Sequence, residues 1–267
     1  REIWKESADL GVISGLISPK FGGLGGSGED ISIIFELIGK SLCIEPFLST
    51  GILSSTILSS IKDPKSELIN QIIDGELLIS FAHMEMNNRY EDHSVETKAF
   101  LENDNWKLNG SKSFVINGES ADKVIVSARI DGEINDKNGI GLFLVDNSQI
   151  KNRSYNTIDG YRAAELNFEN IEAELLCKND LALECIIKTN SAGALALSAE
   201  AIGIMQVCFE LTLDYLKTRK QFGKSIGAFQ SIQHRMVDMM LEIEQVRSAV
   251  MLASSTFETN SSTRDKN

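Results

Sequence analysis

Arg219, Lys220 and Lys224 crowd around Phe222-Gly223 in a chain that holds 38 Asp and Glu against 26 Lys and Arg, a formal net charge of -12. Local cations in so acidic a chain select for a small anion, because a guanidinium and backbone N–H groups near a helix junction are suited to phosphate oxygens. The competing reading makes Arg219 a solvated helix-end cation stabilised by the helix dipole. The overall acidity argues against a general nucleic-acid or anionic-membrane binder, since both reward a positive surface.

The remaining reactive side chains are scattered. Cys43, Cys177, Cys185 and Cys208 show no Cys-x-x-Cys spacing and no paired His at metal spacing, so neither zinc nor a disulfide framework is indicated. They read as thiols in a reducing, cytoplasmic compartment. His83, His93 and His234 invite acid–base work, yet a lone histidine is more often structural. Glu184 and Glu200 read as ordinary helix carboxylates. Gly23-x-Gly25-x-x-Gly28 satisfies a dinucleotide-binding pattern, with Glu45 downstream, but the pattern needs strand, turn and helix. Here helix follows helix, and Ser27-x-x-Asp30 reads instead as a capping box for a helix at Ile31.

The elements that must hold these residues fall into three runs. Ile31, Ile34, Phe35, Ile38 and Leu42 repeat at helical spacing, and Leu68, Ile69, Ile72 and Ile73 run into Gly75 as a stop. From Leu77 the pattern shortens to strands, with turns expected at Asn109-Gly110 and Asn117-Gly118. Helices return from near Asp180 to Lys217 and from near Phe229 to beyond Thr256. The apolar run Ala192–Phe209 is nearly long enough for a bilayer, but Ser198, Glu200 and Gln206 within it favour a helix buried in a bundle. The expected class is α+β: a helical N-terminal domain (1–76), an antiparallel β-barrel middle domain (77–178) and a helical-bundle C-terminal domain (179–267). The start at Arg1 without Met, and the stop directly after a helical pattern, read as a fragment lacking part of both ends.

Three stretches carry a resemblance. "ADLGVISGLISPKFGGLGGSGED", "LNGSKSFVINGESADKVIVSAR" and "TRKQFGKSIGAFQSIQHRMVDM" resemble, in family order, the N-terminal, middle-domain and C-terminal signatures of the acyl-CoA dehydrogenases. "FAHMEMNNRY", "DGYRAAEL" and "DYLKTRKQFG" look most like the small subunit of pimeloyl-CoA dehydrogenase. The resemblance implies FAD between barrel and bundle, an acyl-CoA substrate, and electron-transferring flavoprotein as acceptor. It also implies a homo- or hetero-oligomer formed through the C-terminal helices.

Residue by residue, it implies that Arg219, Gln221 and Phe222 grip the diphosphate of a neighbouring subunit's flavin, while Phe229 and Gln230 meet the adenine side. Where the family reads Thr-Glu-Pro against the flavin, this chain has Met84, Glu85 and Met86, which assigns those contacts to backbone groups of His83 and Met84. Phe114 stands for the family's tryptophan and Ile116 for its threonine. Arg89 and Tyr90 fall on the substrate side, where a guanidinium would suit the distal carboxylate of a dicarboxylyl thioester. No catalytic base is found in this segment: an ungapped count puts Gly193 at one family position, and the other would lie beyond Asn267. The expected activity is α,β-dehydrogenation of an acyl-CoA to the 2-enoyl-CoA. The alternative is a non-catalytic FAD-binding partner subunit of a heteromeric dehydrogenase.

Overall fold

The computed structural model describes residues 1–88 and 90–259. The chain opens with α1 (Glu2–Asp9), α2 (Gly28–Ser41), a π-helical run Phe47–Ser54, α3 (Ser55–Ser60) and α4 (Ser66–Ile73). Strands follow: β1 (Ile79–Ala82), β2 (Lys98–Glu102), β3 (Asn105–Ile116), β4 (Lys123–Arg129), β5 (Ile140–Asp146), β6 (Lys151–Asn156) and β7 (Arg162–Lys178). Two long helices, α5 (Asp180–Thr218) and α6 (Gln230–Thr256), flank a short hairpin of β8 (Lys220–Gln221) and β9 (Lys224–Ser225). Two compact units result: Arg1–Gly25 with Ile44–Gly193, and Gly26–Cys43 with the chain from Ala194 onward.

The first unit is built on the strands. Their order is β1-β4-β2-β3-β7-β5, with β6 on β7 and β4 also beside β5. The expected antiparallel barrel is corrected here. β1 runs parallel to β4, and β2 meets β4 in parallel through the single pair Lys98↔Arg129, so the sheet is mixed and does not close as a regular barrel. Leu108, Val115, Val124, Val126, Phe143 and Leu166 fill its apolar centre, each worth about 1.5–3 kcal/mol if fully withdrawn from water. Thr50 and Ser54 of the π-helical run donate their hydroxyls to the Ile79 carbonyl, both at 2.9 Å, and so tie helix to strand.

Turn positions divide the expectations. Asn117-Gly118 does end β3, with Asn117 at φ 56°. Asn109-Gly110 makes no turn: it lies inside β3, at a register shift between Leu108 and Asn109. The extra residue of that bulge is Asn170 of β7; Gly110 has φ 145°, and a Cβ there would lie 2.7 Å from Thr97 Cα, so the glycine admits the close approach of the chain entering β2. The hairpin instead turns at Asn103-Asp104, at φ 50° and 63°, the two-residue geometry that matches strand twist.

The second unit is helical. Ser27 and Asp30 form the expected capping box of α2, and Ile31, Phe35 and Ile38 are buried. Leu42, expected on that face, is exposed; it sits at φ 51° as the left-handed cap that ends the helix. α2 meets α5 backbone to backbone: a Cβ on Gly39 would lie 2.0 Å from the Glu200 carbonyl oxygen, and one on Gly203 2.0 Å from that of Glu36. Arg247 of α6 completes the contact, donating to Glu36 at 2.8 Å. By length and composition α5 is apolar enough to cross a membrane; its glycine and alanine content is what permits this close packing on α2.

Candidate functional site

The expected site residues form two clusters, one in each compact unit. In the first, Phe114 stands in a bulge of β3, where the register against β7 slips between Lys112 and Val115. Its φ is 49° and its ring is 43 % exposed. A bulky residue in the left-handed region costs about 1–3 kcal/mol, and such strain gathers at ligand sites. Beside it the Met84 carbonyl accepts from the Ser113 N–H at 2.8 Å, and Met84 itself is half-buried. Ile116, also half-buried, ends β3 opposite Ala163. Tyr90 is exposed, at φ 69°. Arg89 lies outside the described residues.

Beneath this surface is a charged pair that the sequence reading missed. The Lys112 ammonium, fully buried, donates to Glu85 Oε1 at 2.6 Å, Ser127 Oγ at 2.9 Å and the His83 carbonyl at 3.2 Å. Glu85 accepts in addition from the backbone N–H of Glu96 at 2.6 Å and of Thr97 at 3.0 Å. Ser127 Oγ lies 2.9 Å from Nδ1 of His83. Because an ammonium can only donate, Ser127 accepts from it and keeps its own hydrogen for His83. Burial pushes Lys112 down to about 8, with Glu85 opposing the shift. Burial would raise Glu85, but the Lys112 charge and the donated hydrogen bonds outweigh it and hold the carboxyl below its usual range. Both therefore remain ionised at neutral pH. Burial, then the Lys112 charge, depress His83 to about 3; it is a neutral structural imidazole, stacked on Phe81 at 5.7 Å.

The pair also reaches the backbone at His83, beside Met84. Each carbonyl already accepts one hydrogen bond, from Lys112 and from the Ser113 N–H. The clue to Lys112 was its place in β3: it has the parity of buried Leu108, a position where a charged residue needs an enclosed partner.

The second cluster is the hairpin after α5. Arg219 is exposed, its N–H on the Tyr215 carbonyl and its own carbonyl accepting from Ile226, both at 2.9 Å. Gln221 pairs with Lys224 across a turn whose central residues, Phe222 and Gly223, have φ 53° and 79°. Phe222 is 92 % exposed, with its ring edge-on to Phe229 at 6.2 Å. Lys224 Nζ sits 4.4 Å over the Phe229 ring, a cation–π contact. Gln230 opens α6 and is exposed. The sequence reading foresaw a basic junction; the structure makes it a hairpin that turns on Phe222-Gly223.

Gly193 is buried, and a Cβ there would lie 2.9 Å from Leu53 Cδ2. Among the described residues no cluster of three or more His, Cys, Asp and Glu is placed to hold a metal.

Two family models match the chain: acyl-CoA dehydrogenase middle domain over residues 80–171, and acyl-CoA dehydrogenase C-terminal domain over 183–266. The mitochondrial long-chain specific acyl-CoA dehydrogenase of Sus scrofa is 30 % identical over 94 % of this chain and 61 % of its own length. The short-chain specific acyl-CoA dehydrogenase of Clostridium acetobutylicum is 27 % identical over 94 % of this chain and 69 % of its own. The chain thus spans about three fifths of the pig relative. In fold, the butyryl-CoA dehydrogenase of Megasphaera elsdenii superposes with a TM-score of 0.87 at 24 % identity, covering 96 % of this chain and 71 % of that one. A chain from the electron transferring flavoprotein study of Acidaminococcus fermentans gives 0.88 at 25 % identity, covering 96 % and 70 %. The matched residues, 80–171 and 183–266, account for most of the chain, and by its middle and C-terminal domains it belongs to the acyl-CoA dehydrogenase family.

Proposed function

We propose that the protein is an FAD-dependent oxidoreductase that converts an acyl-CoA thioester to the 2-enoyl-CoA. The family's members are flavin enzymes, and the residues here fit that group in two ways. The hairpin offers Arg219, Lys220 and Lys224 to a diphosphate, and Phe114 offers an exposed ring held outward by its bulge to a flat heteroaromatic system. The observation that carries the reading is the hairpin: an exposed Phe at positive φ within a cation cluster has little reason to be there in a merely structural connection.

In the reaction a carboxylate takes the α proton of the thioester and the β carbon gives up hydride. FAD, when bound, supplies the acceptor for that hydride. Arg219, Gln221 and Phe222 hold the diphosphate end, in a flavin of a neighbouring subunit, and Phe229 and Gln230 meet the adenine side. Phe114 would offer its ring to the flavin, Ile116 would line the same face, and backbone groups of His83 and Met84 would hold the flavin's polar edge. By the resemblance, Tyr90 and Arg89 would fall on the substrate side, and a distal carboxylate bound by Arg89 would make that substrate dicarboxylyl, of the pimeloyl type. Electron-transferring flavoprotein takes the electrons onward, and the cysteine thiols accord with a cytoplasmic setting.

A second reading is favoured by one feature. Where the family reads Thr-Glu-Pro, this chain has Met84, Glu85 and Met86, an altered flavin-facing segment that accords with a non-catalytic partner subunit. The full-length protein decides between them: its visible spectrum is recorded before and after anaerobic addition of acyl-CoA thioesters, pimeloyl-CoA included. Bound flavin that bleaches supports the dehydrogenase. Flavin that stays oxidised with every thioester supports the partner subunit, and a protein that takes up no flavin under any condition refutes both.

A further inference from the structure

We propose that Lys112, paired with Glu85, is a positioning residue for the ligand face of the strand unit, fixing the backbone of His83–Met84 and the Phe114 bulge as one rigid surface. The inference rests on the reading that Met84 and Phe114 face the flavin. Three observations carry it.

The first is the direction of the hydrogen bonds. A buried ammonium must place three N–H groups, and where it places them decides what it fixes. Here the ammonium also binds the His83 carbonyl, at 3.2 Å, and Ser127 Oγ, at 2.9 Å, and Ser127 in turn meets the His83 ring. Backbone and side chain of the residue before Met84 are both tied to the same cation.

The second is adjacency in sequence. Lys112 is the last residue before the register slip that projects Phe114 outward, and Ser113, between them, donates its N–H to the Met84 carbonyl at 2.8 Å. The two candidate flavin contacts, Met84 and Phe114, are therefore joined through Ser113 and anchored one residue further in at His83 and Lys112. The third is the strain itself. Phe114 at φ 49° persists only where neighbouring contacts over-determine it, and Lys112, with 0 % side-chain exposure and three hydrogen bonds, supplies such contacts two residues away.

The test uses the full-length protein reconstituted with FAD and three variants: Lys112→Met, the double variant Lys112→Met with Glu85→Gln, and Ser127→Ala. Thermal melting, FAD affinity and the absorption spectrum of the bound flavin are read for each. Replacing both charges removes the uncompensated buried ion, although the amide has one oxygen where Glu85 Oε2 serves the Glu96 N–H and Oε1 that of Thr97, so the double variant regains part of the melting temperature lost by Lys112→Met. The expected result is that it nonetheless binds FAD on the order of tenfold more weakly, as loss of a supporting shell does, with the flavin bands displaced from wild type. Ser127→Ala, a small change that keeps the ion pair, shows a smaller displacement in the same direction. A double variant or Ser127→Ala whose bound-flavin spectrum and affinity equal wild type overturns the proposal and leaves the flavin reading standing. A wild type that takes up no FAD overturns the flavin reading and the proposal with it.

Discussion

The two clusters handle charge in opposite ways. In the strand unit, Lys112, Glu85 and the neutral His83 are enclosed, and the two charges are met by one another and by Ser127, Glu96 and Thr97. In the hairpin, Arg219, Lys220 and Lys224 are exposed, with Phe222 held out beside them. An enclosed and satisfied charge cannot bind a ligand, but it fixes geometry, because each partner it lost would leave an ion stranded in a poor solvent. An exposed cation fixes little and remains available to an anion. The difference separates residues that shape a site from residues that touch what enters it.

The largest expected effect lies in the enclosed pair. Lys112→Met should destabilise the strand unit by about 3–5 kcal/mol, the usual cost of stranding one member of a buried ion pair, read as a large fall in melting temperature. A loss under about 1 kcal/mol would mean that the pair is open to water and the contrast between the clusters is false.

Arg219→Gln should do the reverse. An exposed side chain contributes within about 0.5 kcal/mol to stability, so the melting temperature stays near wild type. Losing a charge-assisted hydrogen bond to a diphosphate should weaken FAD by about 1.5–3 kcal/mol, roughly 10- to 150-fold in Kd by titration of flavin fluorescence. Unchanged affinity would return Arg219 to the role of a helix-end cation.

Next in size is a pH effect confined to the strand unit. His83 has its folded pKa depressed from about 6.5 to about 3, so between these values the unfolded chain binds a proton that the folded chain refuses. Stability is therefore lost as pH falls through this window, at a slope approaching 1.4 kcal/mol per pH unit. Glu85 adds its own loss only below its ordinary value near 4.5. From pH 6.5 to 5 the His83 share is roughly 2 kcal/mol, and His83→Asn, which keeps a polar atom toward Ser127, should flatten the melting-temperature profile there. Arg219→Gln should leave that profile unaltered.

What the sequence disclosed follows the same division. The capping box at Ser27 and Asp30, the extents of α5 and α6, and the basic junction at Arg219 were legible because each is set by residues close together in the chain. The parallel pairings of β1 and β2 with β4 were not, since they join residues such as Ile79 and Lys123 whose register no local signal records. Asn109-Gly110 misled because the same dipeptide serves a turn or a strand interior that another backbone approaches closely, as Thr97 approaches Gly110. Among the described residues β6, Lys151–Asn156, pairs with β7 alone, has no buried residue and shows no alternation to detect. Lys112 and Glu85 stand 27 residues apart, so the clue lay in parity alone.

The smallest effect is the sharpest probe of the hairpin. Phe222→Asn replaces a bulky residue at φ 53° with one that tolerates the left-handed region, a relief of about 1–2 kcal/mol. It also removes the edge-on contact with Phe229, worth about 0.5–1.5 kcal/mol. The two nearly cancel, so the melting temperature should move by little. FAD affinity is then the informative reading. If it falls while stability holds, the strained phenylalanine is kept for the ligand, as the exposed cluster requires. If stability and affinity both hold, Phe222 is merely tolerated at the turn, and the ligand contacts of the hairpin reduce to Arg219 and Gln221.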